Sequence, residues 1–171
     1  MAEEIVNRIA ESKLVTFNLE DFYPKGQRVV FDISDWLLEG FVLREKDFRE
    51  QAKNHDWQQY KGAYVALVCS TDAIVPSWAF MLVSSYLQGI AKKTIIGDLE
   101  NLESHLYQEV IDRLDVSDLE DKPVIIKGCS NKPVPKNAYI MIMQKLQPVV
   151  KSLMYGEACS SVPLYKKPRK K

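Results

Sequence analysis

Apolar positions along the chain change their period several times, and each change marks an element. Ile5, Val6 and Ile9 share one side of a short amphipathic helix over 2–11. Over 14–19, Val15, Phe17 and Leu19 alternate with Leu14, Thr16 and Asn18, which predicts a strand. Pro24 and Gly26 then break both periods and make 22–26 a loop. Two further short strands are expected over 28–33 and 38–43. The charged stretch 44–54 reads as a surface helix, because Phe48 and Ala52 are almost its whole apolar contribution. An aromatic connector, 55–62, follows.

From residue 63 the pattern becomes regular. The nearly continuous apolar run 63–68 suits a strand covered on both faces. Helices are predicted over 77–90 (with Pro76 at its first turn), 102–114 and 136–149. Short strands are predicted over 94–96, 124–127 and 151–155. This alternation predicts a mostly parallel α/β sheet with helices on both faces and short N-terminal strands added. One domain over 1–165 is expected, with a basic disordered tail over 166–171.

Two segments of this half resemble each other. Cys69-Ser70, Val75-Pro76, Ala79-Phe80, Leu87-Gln88, Lys92 and Gly97-Asp98 correspond to Cys129-Ser130, Val134-Pro135, Ala138-Tyr139, Leu146-Gln147, Lys151 and Gly156-Glu157. Only the spacing between Cys-Ser and Val-Pro differs, by one residue. The expectation is a duplicated strand–helix–strand unit, at about 63–98 and 123–157, inside one sheet.

Composition narrows the partners. The 171 residues are 46% hydrophobic and 27% charged, as in a globular domain. Lys and Arg total 23 against 23 Asp and Glu, so the net field is weak and speaks against nucleic acid. No apolar run approaches the ~20 residues that cross a bilayer. The acidic start, Met1-Ala2-Glu3-Glu4, lacks the features of a secretion signal. Three cysteines without an export signal point to reduced thiols and a cytoplasmic protein.

Ligands of an open parallel sheet sit outside the carboxyl ends of its strands. Cys69 follows the first predicted core strand, Gly97-Asp98 the second, Gly128-Cys129 the third and Gly156-Glu157-Ala158-Cys159 the fourth. In one sheet, all three cysteines would share an edge. Neighbouring strands lie about 4.8 Å apart and thiolates bind zinc at about 2.3 Å, so adjacent loops reach a common ion. The expected metal site is therefore Cys69, Cys129 and Cys159, with Asp98 completing or flanking it. Glu157, Asp72, His55 and solvent are the other fourth ligands. Thiolate character favours zinc, iron or an iron–sulfur species, and with it an accessory or carrier role in metal or iron–sulfur handling.

Two alternatives stand beside that expectation. Cys159 would be the nucleophile of a thiol-based sulfur or redox transferase. Otherwise the thiols are structural and the chain is an interaction domain, since free cysteine is among the most buried residue types and no CxxC is present. Asp98 equally suits a helix N-cap, and His105 a solvated helix face. Ser70-Thr71 and Ser130-Asn131 follow strands as anion-binding loops do, but lack the glycines of a phosphate loop. With two histidines and no recognisable acid–base pair, whether the chain is an enzyme stays open, as does a homo-oligomer.

Several stretches together resemble a known bacterial family, domain of unknown function 2480. They include Leu19-Glu20-Asp21-Phe22-Tyr23-Pro24, Arg44-Glu45-Lys46-Asp47-Phe48-Arg49, His55-Asp56-Trp57, Asp72-Ala73-Ile74-Val75-Pro76 and Gly97-Asp98-Leu99-Glu100. Lys127-Gly128-Cys129 and the segment from Met154-Tyr155-Gly156-Glu157 to Pro163-Leu164-Tyr165 continue the likeness over nearly the whole chain. The resemblance implies a bacterial cytosolic protein and iron–sulfur assembly proteins as partners. It supplies no catalytic residue. Tyr60 to Leu67 also resembles the approach to a central strand of the thioredoxin-like fold, without that fold's redox pair.

Overall fold

A computed structural model describes residues 14–128 and 131–168. The expected helix over 2–11, Cys129 and the last three lysine- and arginine-rich positions lie outside the described residues. In chain order the elements are β1 (Val15–Phe17), β2 (Arg28–Asp32), α1 (Glu45–Asn54), β3 (Tyr64–Val68), α2 (Ser77–Leu87), β4 (Lys93–Ile96), α3 (Leu99–Arg113), β5 (Pro123–Ile126), α4 (Lys136–Leu146), β6 (Ser152–Glu157) and β7 (Ser160–Lys166). The fold is mixed α/β with mostly parallel pairing. Among the described residues, no helix is long and apolar enough to cross a membrane.

The chain divides into two compact units, Lys25–Glu103 and Met1–Pro24 with Ser104–Lys171. The first carries the parallel sheet β2-β3-β4, with Val65 opposite Val29 and Thr94 and Leu67 opposite Phe31 and Ile96. Val65 and Leu67 pack with Phe31, Ile33, Phe48, Ala79, Val83 and Leu87. Ala79, Val83 and Leu87 recur at helical spacing, which gives α2 its buried stripe. Burying each large apolar side chain contributes about 1.5–3 kcal/mol.

The second unit carries the sheet β1-β5-β6-β7, parallel as far as β6 and closed by antiparallel β7. Its core joins Phe17, Leu19, Tyr107, Val124, Ile126, Ala138, Ile142, Leu146 and Leu153. The Tyr107 hydroxyl donates to the Leu19 carbonyl at 3.1 Å.

These two sheets correct the expectation of one. The segments 63–98 and 123–157 each form an adjacent parallel strand pair joined by a helix, but in different sheets. Each pair has its own first strand, β2 beside β3 and β1 beside β5. Those strands end alike, as Phe17-Asn18-Leu19-Glu20-Asp21-Phe22 and Phe31-Asp32-Ile33-Ser34-Asp35-Trp36. Asn18 and Asp32 accept from the backbone N–H two residues on and open 3-10 turns over Leu19–Phe22 and Ile33–Trp36. That competing bond is why the strand expected over 14–19 stops at Phe17.

Three further expectations change. The strand over 38–43 reduces to a single bridge between Leu38 and Val42, because Glu39 (φ 52°) and Gly40 (φ 76°) reverse the chain. Strand β7 is new: a register shift between Leu153 and Met154 accommodates it, and Pro163 sits on this edge strand where it interrupts no further ladder. At the start of the expected disordered tail, Lys166 instead pairs with Ser152 and the Lys167 N–H donates to the Lys151 carbonyl at 2.9 Å.

Candidate functional site

The carboxyl ends of β2 and β3 are tied by a small polar cluster. Asp32 Oδ1 accepts from the backbone N–H of Ser34 at 2.9 Å and of Ser70 at 3.1 Å, and the Ser34 and Ser70 hydroxyls lie 3.0 Å apart. Burial pushes the Asp32 carboxyl up, but the hydrogen bonds from Ser70 and Ser34 outweigh it and hold the group below its ordinary value. A depressed carboxylate stabilises the fold above its unfolded pKa, and that contribution is lost as pH falls through the folded value. At neutral pH the cluster is fully formed.

From this anchor the chain runs outward as a loop over 69–76. Thr71 Oγ1 donates to the Gly40 carbonyl at 2.6 Å and clasps the loop to the turn over 38–42. Gly40 needs its positive φ to make that turn, and a Cβ there would stand 3.5 Å from Thr71 Cγ2. The clasp leaves apolar side chains outside. Ile74 is 94% exposed, Phe41 58% and Val42 52%.

Between the two loops lies a cleft of about 620 Å³, with Phe41, Val42 and Ile74 as lips and Trp78 in its lining. The volume falls in the range of ligand pockets, ~300–1,000 Å³. Trp78 is fixed from behind by Phe48, ring centroids 5.7 Å apart, and by Arg49, 5.4 Å from its ring centroid. Glu45 in turn holds Arg49 at 2.9 Å. Asp72 is the second carboxylate of the lining and lies exposed. With Glu45 committed to Arg49, Asp72 is the carboxylate this largely apolar lining offers to an apolar occupant with a basic group.

The expected metal ligands are placed as follows. Cys69 is half-buried, packs against the core, and turns its thiol to the Thr71 carbonyl at 3.5 Å. Asp98 caps α3: its Oδ1 accepts from Asn101 N at 2.8 Å while its own N–H donates to Asn101 Oδ1 at 3.1 Å. Gly97 (φ 139°) permits this close return, since a Cβ there would meet Asn101 Oδ1 at 2.7 Å. Cys159 is exposed in the β6–β7 turn and belongs to the other unit. By strand register Leu67 corresponds to Ile126 and Ile96 to Tyr155, so Cys69 corresponds to Gly128 rather than to Cys129. Among the described residues, no three His, Cys, Asp or Glu side chains form a group able to hold a metal.

His55, another expected ligand, is a packing residue. Its ring lies 4.7 Å from Trp57, 5.3 Å from Trp36 and 5.6 Å from Phe31, and its Nε2 is 2.9 Å from the Tyr60 hydroxyl. Burial lowers its pKa, against the opposing pull of Asp56. The unfolded chain then binds the proton more readily, so stability is complete above the ordinary value near 6.5 and declines as pH falls through the folded value. We expect urea midpoints to drop between roughly pH 7.5 and 5.5, with a shallower drop in His55→Phe; equal slopes would contradict the assignment.

From sequence, Phe41 and Val42 belong to the short strand expected over 38–43, Trp78 to the helix over 77–90 and Asp72 to the alternative fourth ligands, and no pattern joins them into a cleft. A signal was present: Ile74 is a large apolar residue stranded between Asp72 and Pro76, where no strand or helix period buries it. The model of a family described as protein of unknown function (DUF2480) matches residues 3–167. No curated protein and no solved structure matches the chain.

Proposed function

The chain belongs to the DUF2480 family, and we propose that it acts as a binding module whose cleft beyond β2 and β3 receives an apolar peptide segment carrying a basic residue. The observation behind this reading is the clasp of Thr71 on Gly40, which holds Phe41, Val42 and Ile74 outward around Trp78. Clustered exposed apolar side chains with a polar rim mark interaction sites. Asp72 at the rim supplies the preference for a basic group. Cys69, turned to its own loop, is then structural.

The test is fluorescence anisotropy with labelled peptides that pair Leu and Phe with either Lys or Glu. Saturable binding of the Lys series is expected, with at least a roughly tenfold weaker Glu series, corresponding to about 1.4 kcal/mol. Ile74→Asp should abolish binding without changing the circular dichroism spectrum, since this side chain is already in solvent. Elemental analysis of protein purified without oxygen tests the competing carrier of zinc, iron or an iron–sulfur species on Cys69, Cys129, Cys159 and Asp98. Near-stoichiometric metal, lost in Cys129→Ser, would replace the peptide-binding reading.

A further inference from the structure

We propose that the outer edge of β4 pairs antiparallel with β4 of a second copy of this chain, joining two three-stranded sheets into one. In the sheet order β2-β3-β4, β4 has a strand neighbour on one side only among the described residues. Its counterpart by register is β6, and β6 carries β7, antiparallel, on the corresponding side. The same chain thus shows what such an edge accepts.

The edge matches itself in charge and in shape. Lys92 and Lys93 stand at its beginning, and Asp98 and Glu100 follow its end. A two-fold axis perpendicular to the sheet keeps side chains on their own faces, so it must pass beside a residue and not between two. Centred on Ile95, it places Ile95 against Ile95 and Thr94 against Ile96, and brings Lys92 opposite Asp98 at both ends. The Gly97 N–H donates inward to the Leu67 carbonyl; alternation along the strand then turns the backbone groups of Thr94 and Ile96 outward, where each can exchange hydrogen bonds with Ile96 and Thr94 of the second copy around the axis. The balanced net charge sets no general repulsion between copies.

The surface beside this edge is apolar and open. Thr94 and Ile96 share the sheet face of Val65 and Leu67, on which α2 packs. Between α2 and β4 lies a cleft of about 530 Å³ lined by Phe80, Met81, Ser84 and Ser85 as well as Thr94 and Ile96. Ile96 is 62% exposed and Met81 69%. The two-fold sets both α2 helices on the same face of the joined sheet, so each Met81 gains apolar surroundings, and the small Ser84 and Ser85 permit close approach.

Sedimentation velocity of the full chain between roughly 1 and 100 µM, a range that brackets micromolar dissociation constants, tests the pairing. A mass that rises from monomer to dimer is expected, with Ile96→Lys and Met81→Lys each weakening association at least tenfold. Thr94→Pro, which removes only an outward N–H, should abolish it. All three positions lie outside the buried core, and unchanged circular dichroism verifies the fold. A wild-type chain that stays monomeric throughout overturns the proposal. So does a dimer that withstands Ile96→Lys and Thr94→Pro, which would place the interface elsewhere. Peptide binding through Ile74 is read independently of either result.

Discussion

Glu103→Ala is expected to lower stability by about 3–5 kcal/mol, the loss that follows when one partner of a buried ion pair is removed. Arg28 and Glu103 have side-chain exposures of 11% and 7%. The guanidinium meets the carboxylate twice, Nε to Oε1 at 2.5 Å and Nη2 to Oε2 at 3.0 Å. Arg28 also donates to the Gly26 carbonyl at 2.7 Å and lies 5.1 Å from the Tyr64 ring centroid. These contacts fix the cation in place, so deleting Glu103 strands a charge that cannot swing into water. The pair joins the start of β2 to the first turns of α3, elements far apart in sequence. Replacing both partners, Arg28→Met with Glu103→Leu, should recover most of the loss, because the desolvation of two charges disappears with them. Urea denaturation of the two variants measures this; a loss below about 1 kcal/mol for Glu103→Ala, typical of surface pairs, would show that water solvates the pair.

Phe48→Ala should cost a similar amount, about 3–5 kcal/mol from lost transfer energy and the cavity left behind. Phe48 is fully buried and is, with Ala52, what α1 contributes to its core. Its ring packs edge-on against Trp36 at 5.3 Å and Trp78 at 5.7 Å. The substitution therefore removes the support behind the cleft as well as core volume. Thermal melts should show the stability loss, and peptide affinity at a temperature where the variant is folded should fall as Trp78 gains freedom. Retained stability would mean that neighbouring rings close the cavity; retained affinity would mean that Trp78 is fixed by Arg49 alone.

Much of the fold was legible because its signals are local. The apolar run at Val65, Ala66 and Leu67, the stripes Ala79-Val83-Leu87 and Ala138-Ile142-Leu146, and the strand end at Gly97 all follow from period and turn chemistry, whereas β6 continues through Gly156 to Glu157 where the expected strand stops at 155. The distribution of strands over two sheets was not legible. Pairing of β1 with β5 joins Phe17 to Ile126 across the whole of the other unit, and no spacing in the sequence announces it. The two first strands carry a local signal of their own, the likeness of Phe17-Asn18-Leu19 to Phe31-Asp32-Ile33 with a cap at each second position. Strand β7 was hidden by Pro163 and by the polar residues that suit an outer edge.

The candidate chemistry was harder for a related reason. Placing every cysteine at one edge required one sheet and the correct strand ends. With two sheets, Cys69 and Asp98 belong to one unit and Cys159 to the other. Register sets Cys69 against Gly128, a one-residue displacement of the kind that reverses a strand's faces. Asp98, by contrast, was readable either way, and its exchange of bonds with Asn101 selects the cap. The cleft depends on a contact between Thr71 and Gly40 that only the folded chain brings together.

The central claim is that the turn over 38–42 and the loop over 69–76, with Trp78 of α2, form a peptide-binding cleft. Amide chemical-shift mapping of the full-length protein during titration with a Leu- and Phe-containing peptide bearing Lys tests it most directly. The expected result is saturable shifts centred on Phe41, Val42, Asp72, Ile74 and Trp78, absent in Ile74→Asp. Shifts centred on other residues, or none at peptide concentrations up to about 1 mM, a binding energy near −4.1 kcal/mol, would contradict it.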